Sequence, residues 1–183
     1  MERNVVFDLD DTLWPLNKVA CNLLNIDFSK INSFVTSENK LLTDDEKSRL
    51  MSLYSDPELW KHISWYSGYK TLMDLEKYNA KVWINSNCLN QEVANFKRSF
   101  LSKELDIPDD QIILNISSEV RKKKLAESTY ILVDDSPFNI ENSNATYNIV
   151  SNRAWNQNIH KSGIYRVTNL VDIIELCKIL LST

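Results

Sequence analysis

The chain of 183 residues has only two glycines, Gly68 and Gly163, and only three cysteines, Cys21, Cys88 and Cys177. With so little glycine, positions that need a left-handed backbone fall to asparagine, which tolerates it better than other non-glycine residues, and Asn79 reads as such a helix stop. The cysteines are odd in number, widely spaced and without a Cys-x-x-Cys pair. That argues against a disulfide framework or a zinc site and fits a reducing compartment. No run of about 18 apolar residues occurs, and no charged segment leads into an apolar one near Met1, so neither a membrane span nor a secretory leader is expected. The expectation is a soluble, cytoplasmic protein. Basic charge is not in excess either, since 25 acidic residues stand against 21 basic ones, for a net charge of -4. Charges of both signs are mixed along the chain, which gives long nucleic acid no reason to bind.

With 43% hydrophobic residues, the chain can bury one core and a small accessory lobe. Short β-branched or aromatic runs recur at Asn4 to Phe7, Val82 to Ile84, Ile112 to Leu114, Ile131 to Val133 and Ile149 to Val150. Helical patterns alternate with them at Tyr69 to Tyr78, Gln91 to Leu105, Glu119 to Glu127 and Phe138 to Asn144. This alternation predicts an α/β fold, a Rossmann-like parallel sheet flanked by helices. Residues 16–67 interrupt it with helix signals alone: Thr43-Asp44-Asp45-Glu46 has capping-box spacing, and Asp56-Pro57 pairs an N-cap with proline at the first helical position. A small helical cap inserted after the first strand is expected there, on a core of residues 1–15 and 68–183. Asn169 to Leu181 reads as a closing amphipathic helix.

The chemistry concentrates at two strand ends. Asp8-Leu9-Asp10-Asp11-Thr12 follows the first apolar run, and ligand crevices of open parallel sheets lie beyond such ends. Two carboxylates two residues apart can converge on one reacting group while a hard cation offsets their repulsion. That arrangement suits attack on phosphorus, with one carboxylate as nucleophile, the other protonating the leaving oxygen and Mg²⁺ neutralising phosphoryl charge. A second pair, Asp134-Asp135, follows the apolar run Tyr130 to Val133, and one carboxylate from each cluster satisfies the few protein ligands that Mg²⁺ prefers.

This constellation resembles the haloacid dehalogenase-like hydrolase superfamily, whose first motif is Asp-x-Asp-x-Thr/Val after a hydrophobic strand. The resemblance implies that Asp8 becomes the aspartyl-phosphate and binds Mg²⁺, while Asp10 is the general acid/base and offers its backbone carbonyl to the metal. A second aspartate at this position marks the family's phosphatases and phosphomutases rather than its dehalogenases or ion pumps. The motif that hydrogen-bonds the phosphoryl group falls on Ser86, or on Asn85 with a one-residue shift. The lysine that stabilises the transition state falls within Arg121-Lys122-Lys123-Lys124, with Lys124 preferred and Lys123 as reserve. Which carboxylate of the second pair touches the metal varies across the superfamily; Asp135 is preferred as the direct ligand, with Asp134 in or next to the coordination sphere.

Feature order is most similar to the 5'(3')-deoxyribonucleotidase branch: a helical cap, Asp56-Pro57-Glu58-Leu59-Trp60, Ser67-Gly68-Tyr69, Lys124, then Asp134-Asp135-Ser136-Pro137. The first motif departs from it, because that branch commonly has Asp-x-Asp-Gly-Val. In this stretch the chain is similar to the small magnesium-dependent phosphatases named for acting on protein phosphotyrosine. The expected function is a magnesium-dependent phosphomonoesterase acting on nucleoside monophosphates, as monomer or homodimer, with Trp14 and Trp60 as candidate contacts for a flat leaving group. Phosphatases of other small molecules, phosphoproteins or nucleic-acid ends, and a non-catalytic binding protein, are the alternatives.

Overall fold

A computed structural model describes residues 2–116 and 128–183. Six strands, β1 (Arg3–Phe7), β2 (Ala80–Asn87), β3 (Ile112–Asn115), β4 (Thr129–Asp134), β5 (Tyr147–Ser151) and β6 (Ile164–Val167), form one sheet in the order β3-β2-β1-β4-β5-β6. Every pairing is parallel. The chain steps from β1 through β2 to β3 on one side, then returns to place β4 against the other flank of β1. That reversal opens a crevice at the carboxyl ends of β1 and β4. Phe7 pairs with both Ile84 and Val133, so Asp8, Asn85 and Asp134 stand at one level, Asp8 just past the end of its strand and the other two still within theirs.

Fully parallel sheets bury both faces, and β1 obeys this with Val5, Val6 and Phe7 all inaccessible. Alternation along the strand sends Val5 and Phe7 to one face and Val6 to the other. On the first face they meet a cluster that includes Leu72, Leu101, Ile173 and Cys177; on the second, Val6 packs with Leu132, Ile140 and Val150. Six described segments form α-helices: α1 (Leu16–Leu24), α2 (Asp44–Tyr54), α3 (Pro57–Trp60), α4 (Gln91–Leu105), α5 (Pro137–Glu141) and α6 (Leu170–Leu181).

The helix ends follow their local chemistry. Thr43 and Glu46 form the expected capping box on α2, with bonds of 3.2 and 2.8 Å, and the Asp56 side chain accepts from the Glu58 amide at 2.9 Å ahead of Pro57. Asn90 caps α4 through the Val93 amide. Tyr69–Tyr78 is helical as expected, but as a 3₁₀ helix, closed by Asn79 at φ 58°. Gly68 opens it at φ 93°, and a Cβ there would sit 2.7 Å from Val171 Cγ2 on α6. Two expectations are corrected. The predicted helix from Phe138 to Asn144 stops at Glu141, and β6, a four-residue strand directly after Gly163, was not anticipated. The helix expected over Glu119 to Glu127 lies outside the described residues.

Residues 16–67 hold helices and no strand, between β1 and β2. Their apolar side chains, Leu50, Leu59 and Trp60 among them, join the same cluster as Val5, Phe7 and Leu13 rather than forming a separate one. The insertion is thereby fixed to the first-strand loop by continuous apolar packing, and truncating a buried leucine such as Leu59 to alanine is expected to remove about 2–5 kcal/mol.

Candidate active site

The loop after β1 is built for one shape. The Asp8 amide extends the ladder by donating to the Val133 carbonyl at 2.9 Å, and the amides of Thr12, Leu13 and Trp14 all turn back onto the Leu9 carbonyl. Asp11 takes the left-handed conformation at φ 56°, which aspartate reaches more readily than most residues. Its carbonyl accepts from Arg153 Nε at 2.8 Å and Ser151 Oγ at 3.3 Å, so the end of β5 backs the turn. The Asp11 carboxylate accepts from the Asn17 amide and from Asn17 Nδ2 at 2.7 Å, and the Tyr54 hydroxyl donates to Asn17 Oδ1. A hydrogen-bonded chain thus ties the loop to α1 and α2 of the insertion.

Asp8, Asp134 and Asp135 are buried, and each places a carboxylate oxygen within 4.8 Å of the others. Asp134 accepts from the Ser136 amide at 2.9 Å and from Asn139 Nδ2 at 3.0 Å, both at the start of α5. Asp135 accepts at Oδ2 from Trp155 Nε1 at 2.8 Å, and its carbonyl accepts from Asn156 Nδ2 at 2.9 Å. Burial pushes the Asp135 carboxyl well above the usual carboxylate range, and Asp8, Asp11 and Asp134 push it further. Burial likewise raises Asp11 to about 7, against the Asn17 amide. Three converging carboxylates suit a divalent cation such as Mg²⁺, because its charge offsets the repulsion among them.

Asp10 stands apart from that set. Trp14 Nε1 donates to its Oδ1 at 2.8 Å, and Lys97 Nζ pairs with its Oδ2 at 2.7 Å. Lys97 is fully buried on α4; it also donates to Ser86 Oγ and to the Asn87 carbonyl, each at 3.1 Å, with the Trp60 ring 4.3 Å from its nitrogen.

A cavity of about 640 Å³ opens above these groups. Asp8, Asp10, Asp11, Asp134 and Asp135 make its floor, together with Lys97. Phe34, Met51, Tyr54 and Trp60 line it from the insertion, and Leu89, Ile116 and Phe138 line it from the core.

The structure brings together the four aspartates read from the sequence, with Trp60 beside them. Trp14 is buried and does not line the cavity; it supports Asp10 from behind. Ser86 and Asn85 are also fully buried and off the cavity lining. The Ser86 hydroxyl turns to Asp10 and Lys97, while Asn85 Oδ1 accepts from Asn115 Nδ2 at 2.9 Å, across to β3. The next residues along, Asn87 and Cys88, reach the cavity instead. Lys124 and its reserve Lys123 lie outside the described residues. Lys97 was missed, although its signal is visible: it stands four residues from both Val93 and Leu101, inside the apolar stripe of α4.

No protein-family model matches the chain, and no curated protein matches its sequence. Solved structures do match in three dimensions. A haloacid dehalogenase-like family hydrolase from Streptococcus pneumoniae superposes with a TM-score of 0.60 at 16% identity, covering 96% of this chain and 98% of that one. A haloacid dehalogenase-like family hydrolase from Xanthomonas campestris gives 0.55 at 11% identity, with 99% and 98% covered. A HAD-superfamily hydrolase from Geobacter sulfurreducens gives 0.54 at 12%, with 96% of each chain covered. With its parallel six-stranded sheet, helical insertion after β1 and acidic switch point, the chain has the fold of the haloacid dehalogenase-like hydrolases.

Proposed function

We propose that the protein is a magnesium-dependent phosphomonoesterase working through an aspartyl-phosphate on Asp8. The observation that carries this reading is the division of labour between neighbouring carboxylates. Asp8 belongs to the buried cluster with Asp134 and Asp135, whereas Asp10 is held outside it by Trp14 and Lys97. In the first step an Asp8 oxygen attacks phosphorus, the bond from phosphorus to the ester oxygen breaks, and Asp10 protonates the departing oxygen. In the second, water attacks the phosphoryl group as Asp10 takes its proton, releasing phosphate and restoring Asp8. Mg²⁺ bound by Asp8, Asp134 and Asp135, with the Asp10 carbonyl, would neutralise phosphoryl charge. Lys124, or Lys123, is assigned the remaining phosphoryl contact on the strength of the family resemblance.

The proposed substrates are deoxyribonucleoside monophosphates, and residues 16–67 are proposed as the cap that selects them. Phe34 and Trp60 on the insertion and Phe138 on α5 offer flat apolar surface to a base in a cavity with an acidic floor. The same apolar walls support a second reading, a phosphatase of another aromatic monoester. Cys21, Cys88 and Cys177 are buried free thiols, as expected of a protein working in the cytoplasm. Phosphate release is to be measured on 5' and 3' mononucleotides beside a generic aryl phosphate, with and without Mg²⁺. Magnesium-dependent release strongest on deoxynucleotides supports both halves of the proposal. Release from the aryl phosphate alone removes the nucleotidase half, and no release from any substrate removes the enzyme.

A further inference from the structure

Lys97 touches no reacting atom in the chemistry above, yet it is the most completely engaged cation among the described residues. An ammonium group has three N–H donors, and here they go to Asp10 Oδ2 at 2.7 Å, Ser86 Oγ at 3.1 Å and the Asn87 carbonyl at 3.1 Å. None remains for a phosphoryl oxygen. Burying an ammonium is expensive unless every donor is met and a counter-charge is adjacent, and both conditions hold at this position. The Trp60 ring, 4.3 Å from Nζ, covers the ammonium from the insertion, while the Asp10 carboxylate stays partly open to the cavity. The Asp10 carboxylate is gripped from both ends, by Trp14 on one oxygen and by Lys97 on the other. Trp14 follows Asp10 on the same loop, whereas Lys97 comes from α4 and therefore references Asp10 to the body of the sheet.

We propose that Lys97 is a positioning residue that fixes the Asp10 carboxylate in the orientation from which it exchanges a proton with the ester oxygen, with Ser86 as its second anchor and Trp60 as its cover. This role rests on the phosphatase reading. General acid/base groups act only within hydrogen-bond reach of the atom they serve, so a carboxyl free to rotate loses much of its effect without any change in substrate binding.

The test is a double-mutant cycle on the full chain with Mg²⁺ and an aryl phosphate whose good leaving group keeps slow variants measurable. Lys97→Met is expected to lower kcat about a hundredfold with KM near wild type, and the milder Lys97→Gln to fall between. In an Asp10→Asn background, Lys97→Met should change kcat by no more than about twofold, because its effect passes through a carboxylate that is already gone. Additive losses, or a rise in KM with kcat kept, would overturn the role and leave the phosphatase reading standing. A wild-type protein that turns over no phosphate monoester would overturn both. If Lys97→Met does not fold, as judged by circular dichroism, Lys97→Gln is carried through the same cycle under the same criteria.

Discussion

Asp10 and Asp135 are two acidic side chains in one crevice, each receiving a tryptophan N–H at 2.8 Å, and they are set up for opposite ends. Trp14 and the Lys97 ammonium hold Asp10. Asp135 has Trp155 but no ammonium or guanidinium ion pair among the described residues, and the charges that act on it most are the carboxylates of Asp8, Asp11 and Asp134. The same pair of ingredients, a carboxylate and an indole, therefore serves two purposes according to the third group added. On the proposed mechanism, the carboxylate with an added cation serves as a fixed acid/base, and the one with added anions belongs to the site that would hold a metal ion.

The largest expected effect comes from removing the proposed acid/base. Asp10→Asn should lower turnover by about 10²–10⁴-fold while the cation concentration needed for half-maximal rate stays near that of wild type. Steady-state titrations with Mg²⁺ check both parts. Asp135→Asn should invert that pattern, raising the cation requirement by more than the roughly 10–100-fold typical of losing a partner behind a ligand. Trp155→Phe removes only the hydrogen bond to Asp135 and should raise the same requirement by about tenfold.

Stability should separate the two carboxylates by sign. In metal-free protein Asp135→Asn relieves repulsion and is expected to raise Tm, whereas Asp10→Asn strands the buried Lys97 charge and is expected to lower it. At this chain length each kcal/mol moves Tm by about 2–4 °C.

The smallest effect is a pH slope. Asp11, at about 7, and Asp135, also raised, keep protons in the folded state that the unfolded chain releases near pH 4. The folded state therefore binds more protons than the unfolded chain above about pH 4, so the metal-free protein should lose stability as pH rises from there through about 7, where Asp11 titrates. Saturating Mg²⁺ should flatten the slope. Denaturant titrations at several pH values, with and without the ion, measure both.

Much of this arrangement was legible in the sequence because it depends on local patterns. Apolar runs ending in paired aspartates marked β1 and β4, and capping chemistry marked α2 and α3 well enough that Thr43, Glu46 and Asp56 perform their expected roles. The illegible parts depend on contacts far apart in the chain. β6 is four residues long and is a strand only because β5 lies beside it. Ser86 carries the residue type expected at its position, but its hydroxyl direction is set by Lys97, eleven residues further along on α4. Trp14 read as a surface for a flat leaving group, since nothing local reveals that its indole folds back onto Asp10. A lysine in an apolar stripe was the one local clue to the ion pair, and a stripe alone does not identify the carboxylate across from it.

The most direct test of the central claim is to trap the covalent intermediate. Protein incubated with Mg²⁺ and substrate, quenched and treated with borohydride, should yield a peptide in which Asp8 is converted to homoserine, because reduction of an acyl phosphate leaves an alcohol; Asp8→Asn protein should yield none. Conversion at Asp8 is the predicted result. Phosphate release without any conversion at Asp8, or undiminished release from Asp8→Asn protein, would contradict the account.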